Sequence, residues 1–272
     1  MTVPTITLND GQEIPQLGFG VWQVSTQDIV PTLRTALEVG YRHIDTAAIY
    51  GNEEGVGQAI RESGVPREEI FVTTKLWNDM HERVPMAIRT SLDKLGLDHV
   101  DLYLIHWPTP MFGTAVAAWK AMERVRDEGL ATSIGVCNFR AEDLDEIIAA
   151  GDTVPAVNQI EVHPTLTQLP LVAANSERGI HTQSWTPLGK GDIELPEIVE
   201  LAAEHGKTPA QVILRWHIQR GLITFPRSVT PSRIAENFDV FDFELSEAAM
   251  ATIDSLDAAR RCGPDPATFD RR

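Results

Sequence analysis

The sequence predicts an α/β fold: a closed (β/α)8 TIM barrel with an N-terminal β-hairpin and an irregular C-terminal loop over its active-site face. Three observations lead there. Eight short runs rich in β-branched and aromatic residues recur along the 272 residues. Turns and helical patterns fill the gaps between them, the alternation of parallel βαβ units. No linker, charge block or low-complexity run interrupts the series, and eight strand and helix pairs in about 250 residues match one barrel, so residues 1–272 read as a single domain. The competing architecture is an open doubly wound sheet, which usually carries a Gly-rich fingerprint after its first strand. Here Gly18-Phe19-Gly20-Val21-Trp22-Gln23 lacks the third glycine, and Gly55-Val56-Gly57 falls inside a helical segment.

In chain order, Thr5 to Leu8 and Glu13 to Gln16 flank Asn9-Asp10-Gly11 as a hairpin, because Asp-Gly accepts the positive φ of a tight turn. Strands are expected at Phe19 to Trp22, Arg42 to Asp45, Ile70 to Lys75, Asp101 to Ile105, Thr132 to Val136, Ala156 to Glu161, Ile180 to Ser184 and Leu222 to Phe225. Asp28 to Val39, Val84 to Leu95 and Thr114 to Glu128 carry helical patterns closed by Gly40, Gly96 and Gly129, glycine being the residue that takes the left-handed cap. Thr208 and Pro209 supply an N-cap and a first-turn proline, Val212, Ile213 and Trp216 follow at helical spacing, and Gly221 ends the helix. The tail from Ala258 to Arg272, with Gly263-Pro264-Asp265-Pro266, is too irregular for a helix and is expected to lie over the pocket as a loop.

Composition removes several functions. Thirty-nine acidic against 23 basic residues give a net charge of −16, which repels nucleic-acid backbones and anionic membrane surfaces. Met1 to Asp10 has neither a basic nor an apolar leader segment, and no stretch approaches the roughly eighteen apolar residues of a membrane span, so a cytoplasmic protein is expected. Cys137 and Cys262 lie far apart with no CxxC pair, which predicts two reduced thiols and no zinc knuckle. Gly206-Lys207-Thr208 ends like a P-loop, but Leu201 stands where the first glycine belongs; His81-Glu82 lacks the second histidine of HExxH, and Ser133 the first glycine of GxSxG. No metal is expected.

Barrel active sites lie at the C-terminal ends of the strands. Asp45 ends the second strand, with Tyr50 five residues on; Lys75 ends the third and His106 follows the fourth. Singly, Asp45 with Lys75 reads as a structural ion pair, Tyr50 as a loop aromatic and His106 as a core histidine. Together at three adjacent strand ends they form one mouth, where buried charge is hard to justify on structural grounds alone. A tyrosine hydroxyl, with its ordinary pKa near ~10, needs help to act as an acid at neutral pH, and a neighbouring ammonium favours its ionised form. Lys75 supplies that ammonium, Asp45 aims it, and His106 hydrogen-bonds a carbonyl oxygen. Such a group protonates an alkoxide as it forms, and the electrons must come as hydride from a cofactor. Trp22, Trp77 and Trp107 follow strand ends at the same mouth and would wall a substrate pocket around Tyr50 and His106.

After the eighth strand come Arg227, Ser228, Val229 and Thr230, then a helix starting near Pro231 that carries Arg233. Barrels often bind phosphate there, at the N-terminus of an extra helix. Two guanidinium forks suit a 2′-phosphate, which favours NADPH over NADH.

These residues resemble the aldo-keto reductase family from Ile14 to about Phe269. Gly40-Tyr41-Arg42-His43-Ile44-Asp45-Thr46-Ala47 with Tyr50-Gly51-Asn52-Glu53 is similar to one family signature, Asn158-Gln159-Ile160-Glu161-Val162-His163-Pro164 to another, and Phe225-Pro226-Arg227-Ser228 to the cofactor signature. The nearest subgroup is the prokaryotic 2,5-diketo-D-gluconate reductase type. The resemblance implies a catalytic tetrad of Tyr50, Lys75, Asp45 and His106. It implies a nicotinamide held by Asn138 and Gln159 with Trp185 stacked on the ring. Further cofactor contacts are implied from Gly20, Val21, Trp22 and Asp45, from Pro187, Leu188 and Gly189, from Phe225, Arg227, Ser228, Val229, Thr230 and Arg233, and from Glu236 and Asn237 toward the adenine. Cys137 stands where family members commonly carry serine, and a thiol is a weaker hydrogen-bond donor. The expected protein is a monomeric NADPH-dependent reductase of small or α-dicarbonyl aldehydes and ketones. Two rivals stand beside it: a Schiff-base barrel aldolase or isomerase using Lys75, and a cofactor-binding redox-sensing module with little turnover.

Overall fold

The computed structural model describes residues 3–272; Met1 and Thr2, which begin the stretch read for a leader, lie outside the described residues. β1 (Thr5–Thr7) and β2 (Glu13–Pro15) form the hairpin, with Ile6 opposite Ile14. Gly11 takes the positive φ of its turn, and its N–H donates to Leu8 O. Ile14 is fully buried in a cluster with Leu8, Leu102, Leu104 and Ile223, and Asn9 Nδ2 donates to Pro155 O and Gly179 O, so the hairpin plugs the N-terminal end of the barrel.

The chain then runs through β3 (Phe19–Gly20), α1 (Ile29–Val39), β4 (His43–Asp45), α2 (Glu53–Glu62), β5 (Phe71–Leu76), α3 (Val84–Leu95), β6 (Val100–Ile105), α4 (Ala115–Asp127), β7 (Ala131–Cys137), α5 (Ala141–Ala150), β8 (Val157–Glu161), α6 (Leu169–Glu177), β9 (His181–Trp185), α7 (Pro196–His205), α8 (Pro209–Gln219), β10 (Ile223–Thr224), α9 (Pro231–Phe238) and α10 (Glu247–Asp254). Among the described residues the eight strands β3 to β10 pair in chain order, every pair parallel. A parallel bridge between Leu17 and Thr224 closes the sheet: Gly18 N–H donates to Thr224 O at 2.8 Å, Thr224 N–H to Gln16 O at 2.9 Å and Gly20 N–H to Pro226 O at 3.2 Å. A Cβ on Gly20 would stand 2.9 Å from Phe225 O, and one on Gly18 2.7 Å from His43 Nδ1. The two glycines serve the closure of the barrel, which explains a Gly-x-Gly with no dinucleotide fingerprint around it.

The predicted hairpin, strand order and barrel are all present; the strand bounds shift. The first and eighth strands have two residues each where four were expected. Trp22 turns out to solvent at 50% exposure, and Pro226 has no N–H to extend the last ladder. The glycine caps hold: Gly40, Gly96, Gly129 and Gly221 all have positive φ. Thr208 caps α8 in a reciprocal pair with Gln211. Valine, isoleucine and leucine from the outer strand faces pack against the helices, with Trp119, Tyr41 and Phe139 fully buried there. No helix among the described residues is long and apolar enough to cross a membrane.

Candidate active site

Parallel pairing puts the C-terminal ends of the strands on one face, and the four residues singled out from the sequence meet there. Asp45 is the last residue of β4, Lys75 is next to last in β5, His106 follows β6, and Tyr50 ends a single helical turn, Ala48–Tyr50. Lys75 is fully buried, and its Nζ donates to Asp45 Oδ1 at 2.6 Å, Thr46 O at 2.9 Å and Tyr50 Oη at 3.5 Å. Asp45 Oδ2 accepts from Gln159 Nε2 at 2.8 Å, whose other N–H goes to Gln183 Oε1 at 2.9 Å. The His106 ring meets Tyr50 edge to face at 5.9 Å.

Burial and charge compete at each of these groups. Desolvation works against the charge on Lys75, but Asp45 and Tyr50 outweigh it and the ammonium is held well above its ordinary pKa. At Tyr50 the balance falls the other way: burial raises the phenol, and the pull of Lys75 offsets only part of that. This corrects the expectation that Lys75 brings the hydroxyl down toward neutral pH, because desolvation of the phenolate is the larger effect. His106 is depressed well below its ordinary value by burial and then by Lys75, so its imidazole is neutral, and its Nδ1 is buried without a partner.

Beside this group, Asn138 Nδ2 donates to His106 O at 3.0 Å, and its Oδ1 accepts from Trp185 Nε1 at 2.9 Å. Cys137, at the serine position, is buried with its thiol pKa raised by desolvation. Its Sγ lies 3.1 Å from Asn138 Nδ2 and 3.7 Å from Gln159 Oε1. Each amide therefore spends a bonding position on a weak sulfur partner, which leaves capacity for a planar carboxamide beside the Trp185 ring. The residues present fit such a group.

A cavity of about 540 Å³ opens over these atoms. Asp45, Tyr50, His106, Asn138 and Gln159 contribute to its polar lining, and Trp22, Trp77 and Trp107 to its aromatic one. Gly20, Cys137, Trp185, Pro187, Leu188, Gly189, Phe225 and Arg227 line it as well. Val21 does not: its side chain is fully buried in the barrel core, and only its backbone faces β4, donating to Asp45 O. Ser228, Val229, Thr230 and Arg233 lie outside the cavity lining on and beside the first turn of α9, and Val229, Thr230 and Arg233 are exposed. Glu236 is engaged by the Thr208 hydroxyl at 2.8 Å, and Asn237 is buried on the inner face of α9. Neither of these two lines the cavity.

The irregular tail supplies what sequence reasoning missed. Phe269 packs on Trp107 with ring centroids 4.2 Å apart and planes tilted by 34°, and lies 6.4 Å from Trp77; Asn78 Nδ2 donates to Arg271 O at 2.7 Å, and Gly263 rests on Trp185 so closely that a Cβ would overlap the indole. Ile49, Gln23 and Thr186 also line the mouth. The only early signal was the tail's expected position, since an irregular segment has no periodicity from which to choose inward residues. Non-glycine residues with positive φ gather here: Gln23, Asn138 and Thr186. For a β-branched residue such as Thr186 that backbone is strained, by about 1–3 kcal/mol, and such strain concentrates at functional mouths.

The sequence model of the aldo/keto reductase family matches residues 16–258. The chain is 52% identical over 273 aligned residues to methylglyoxal reductase DkgA of Escherichia coli K12, covering 99% of each. A crystal structure of an aldo/keto reductase from Brucella melitensis superposes with a TM-score of 0.92 at 51% identity, over 94% of this chain and 99% of that one. A variant of Gox0644 in complex with NADPH superposes with a TM-score of 0.95 at 42% identity, over 99% of both chains.

Proposed function

The chain belongs to the aldo/keto reductase family, and on that premise we propose that it reduces small aldehydes and ketones, α-dicarbonyls such as methylglyoxal foremost, with NADPH. The observation that carries this reading is the Lys75 ammonium bound at once to Asp45, Thr46 and the Tyr50 hydroxyl, directly behind Asp45 and Tyr50 where these line an aromatic-walled cavity. NADPH, when bound, supplies hydride to the carbonyl carbon. Tyr50 is protonated at rest and gives its proton to the carbonyl oxygen. The phenolate left behind faces the Lys75 ammonium, which stabilises it. Neutral His106 orients the carbonyl oxygen beside Tyr50.

Asn138 and Gln159 hold the nicotinamide amide and Trp185 covers the ring, with Gly20, Trp22, Pro187 to Gly189 and Phe225 along the dinucleotide. Arg227 at the cavity rim and Arg233 in the first turn of α9 take the 2′-phosphate, supported by Ser228 to Thr230 at the helix N-terminus. Glu236 and Asn237 stay behind them as supports of α9. The Schiff-base alternative is disfavoured because Lys75 is a charged amine with all its donors engaged. The isolated thiols and the charge of −16 support a cytoplasmic enzyme without nucleic-acid or membrane partners.

The test is initial-rate oxidation of NADPH and of NADH with methylglyoxal, other α-dicarbonyls and simple aldehydes. Turnover with NADPH that exceeds turnover with NADH supports the reading, and cofactor binding without turnover on any substrate contradicts it. Arg227→Ala should weaken NADPH binding about 10- to 100-fold, the worth of a charge-assisted contact of about 1.5–3 kcal/mol, and leave NADH nearly unchanged. Isothermal titration with both cofactors measures this.

A further inference from the structure

A second cluster lies under the tail, apart from the tetrad. Glu161 ends β8 and His163 follows two residues later, both buried. His163 Nδ1 is 2.9 Å from Asp192 Oδ2; its Nε2 is 3.1 Å from Glu161 Oε1 and 3.5 Å from Cys262 Sγ. Cys262 arrives from the tail, 99 residues beyond His163 in the chain. The backbone N–H groups of Cys262 and Gly263 donate to the Glu161 carboxylate, and Arg261 Nη1 stands 4.0 Å from its Oε2. Asp192 is itself fixed by Thr165 N–H at 3.0 Å, by the Thr165 hydroxyl and by Arg260.

We propose that Glu161, His163 and Cys262 form a binding site for Zn²⁺, with water in the fourth position. A tetrahedral ion with bonds of about 2.0 Å to nitrogen and oxygen and about 2.3 Å to sulfur needs its ligands about 3.3 Å apart for the N–O edge and about 3.5 Å for the N–S edge. The protein already holds those pairs at 3.1 and 3.5 Å, and all three donors lie within 4.8 Å of one another. Asp192 on Nδ1 is the outer-shell partner that turns a histidine's other nitrogen to a metal. A thiolate in the set selects zinc over calcium or magnesium. Binding releases the thiol proton and the proton between Nε2 and Glu161, so a divalent ion replaces two single charges and the balance with Arg260 and Arg261 is kept. Cys262 lines the cavity, which gives the ion a path of entry. Because Gly263 packs on Trp185, a bound ion ties the tail to the strand end that carries the cavity wall.

The experiment uses the full, tag-free chain stripped with chelator and titrated with Co²⁺ alone, then with Zn²⁺ in competition. One equivalent of Co²⁺ should give tetrahedral d–d absorption with a thiolate-to-cobalt charge-transfer band that Zn²⁺ displaces. Cys262→Ser should remove that band, and Asp192→Asn should weaken Zn²⁺ binding about 10- to 100-fold. If Asp192→Asn fails to fold, the Cys262→Ser comparison decides alone. No thiolate band in the native chain, a band that survives Cys262→Ser, or equal Zn²⁺ affinity in the two proteins would overturn the proposal.

Discussion

Lys75 shows how a single residue carries both stability and chemistry. A buried ammonium is costly, and it persists here because Asp45, Thr46 and Tyr50 surround it with acceptors. Asp45→Asn removes the charge partner while keeping the shape. Breaking a buried pair from one side costs about 3–5 kcal/mol, and urea denaturation should register a loss in that range; a loss below about 1 kcal/mol would mean that Asp45 does not hold the charge. The residue types of the tetrad were legible in the sequence, since each follows or ends a β-branched run. The direction of the Tyr50 shift was not, because it depends on how completely the barrel mouth excludes water, which no spacing encodes. Val21 shows the same limit: it is adjacent to cavity residues in the chain, yet just past the end of β3 its side chain is fully buried in the core.

At the scale of elements, glycine spacing was read correctly as caps and correctly rejected as a fingerprint, but its packing role was invisible. Gly57 lets α2 lie against the end of α3, where a Cβ would overlap Leu95 O, and Gly55 lies against Ile29 of α1 in the same manner. Gly57→Ala therefore requires the backbone to move and should destabilise by about 1–3 kcal/mol despite alanine's better helix propensity. The denaturation midpoint measures it, and a stabilised variant would refute the close approach. Strand existence and order were legible from the runs themselves. Their ends were not, because Pro226 and the outward turn at Trp22 decide where the ladders stop. The tail's position over the pocket was legible, whereas Phe269 between Trp77 and Trp107 was not, since its contacts join residues distant in the chain.

For the whole molecule, the net charge of −16 and the buried histidines set the response to acid. His43 and His81 are pushed down to about 4 and His217 to about 3, each first by burial, and His106 is depressed in the same direction. Between pH 6.5 and about 4 the unfolded chain takes up protons at these sites and the native chain does not, so stability present above pH 6.5 is lost as pH falls. Each site contributes a slope of about 1 kcal/mol per pH unit. His163, between two carboxylates, moves the opposite way: its contribution is gained above pH 6.5, as pH falls through its raised native pKa, and stays level below, so it offsets none of this loss. Thermal melts from pH 6.5 to 4.5 should show a steadily falling midpoint, and a flat profile over that range would contradict neutral burial. We also propose that the closed barrel unfolds as one domain, in a single calorimetric transition; two resolved transitions would contradict that.

We propose that Tyr50 protonates the carbonyl oxygen with Lys75 behind it, and the decisive variant is Tyr50→Phe. Removing the hydroxyl leaves the ring and its contact with His106. In this variant kcat for NADPH-dependent reduction of methylglyoxal should fall by about 10²- to 10⁴-fold, while the dissociation constant for NADPH stays within error of the native value. Turnover equal to that of the native enzyme would contradict it.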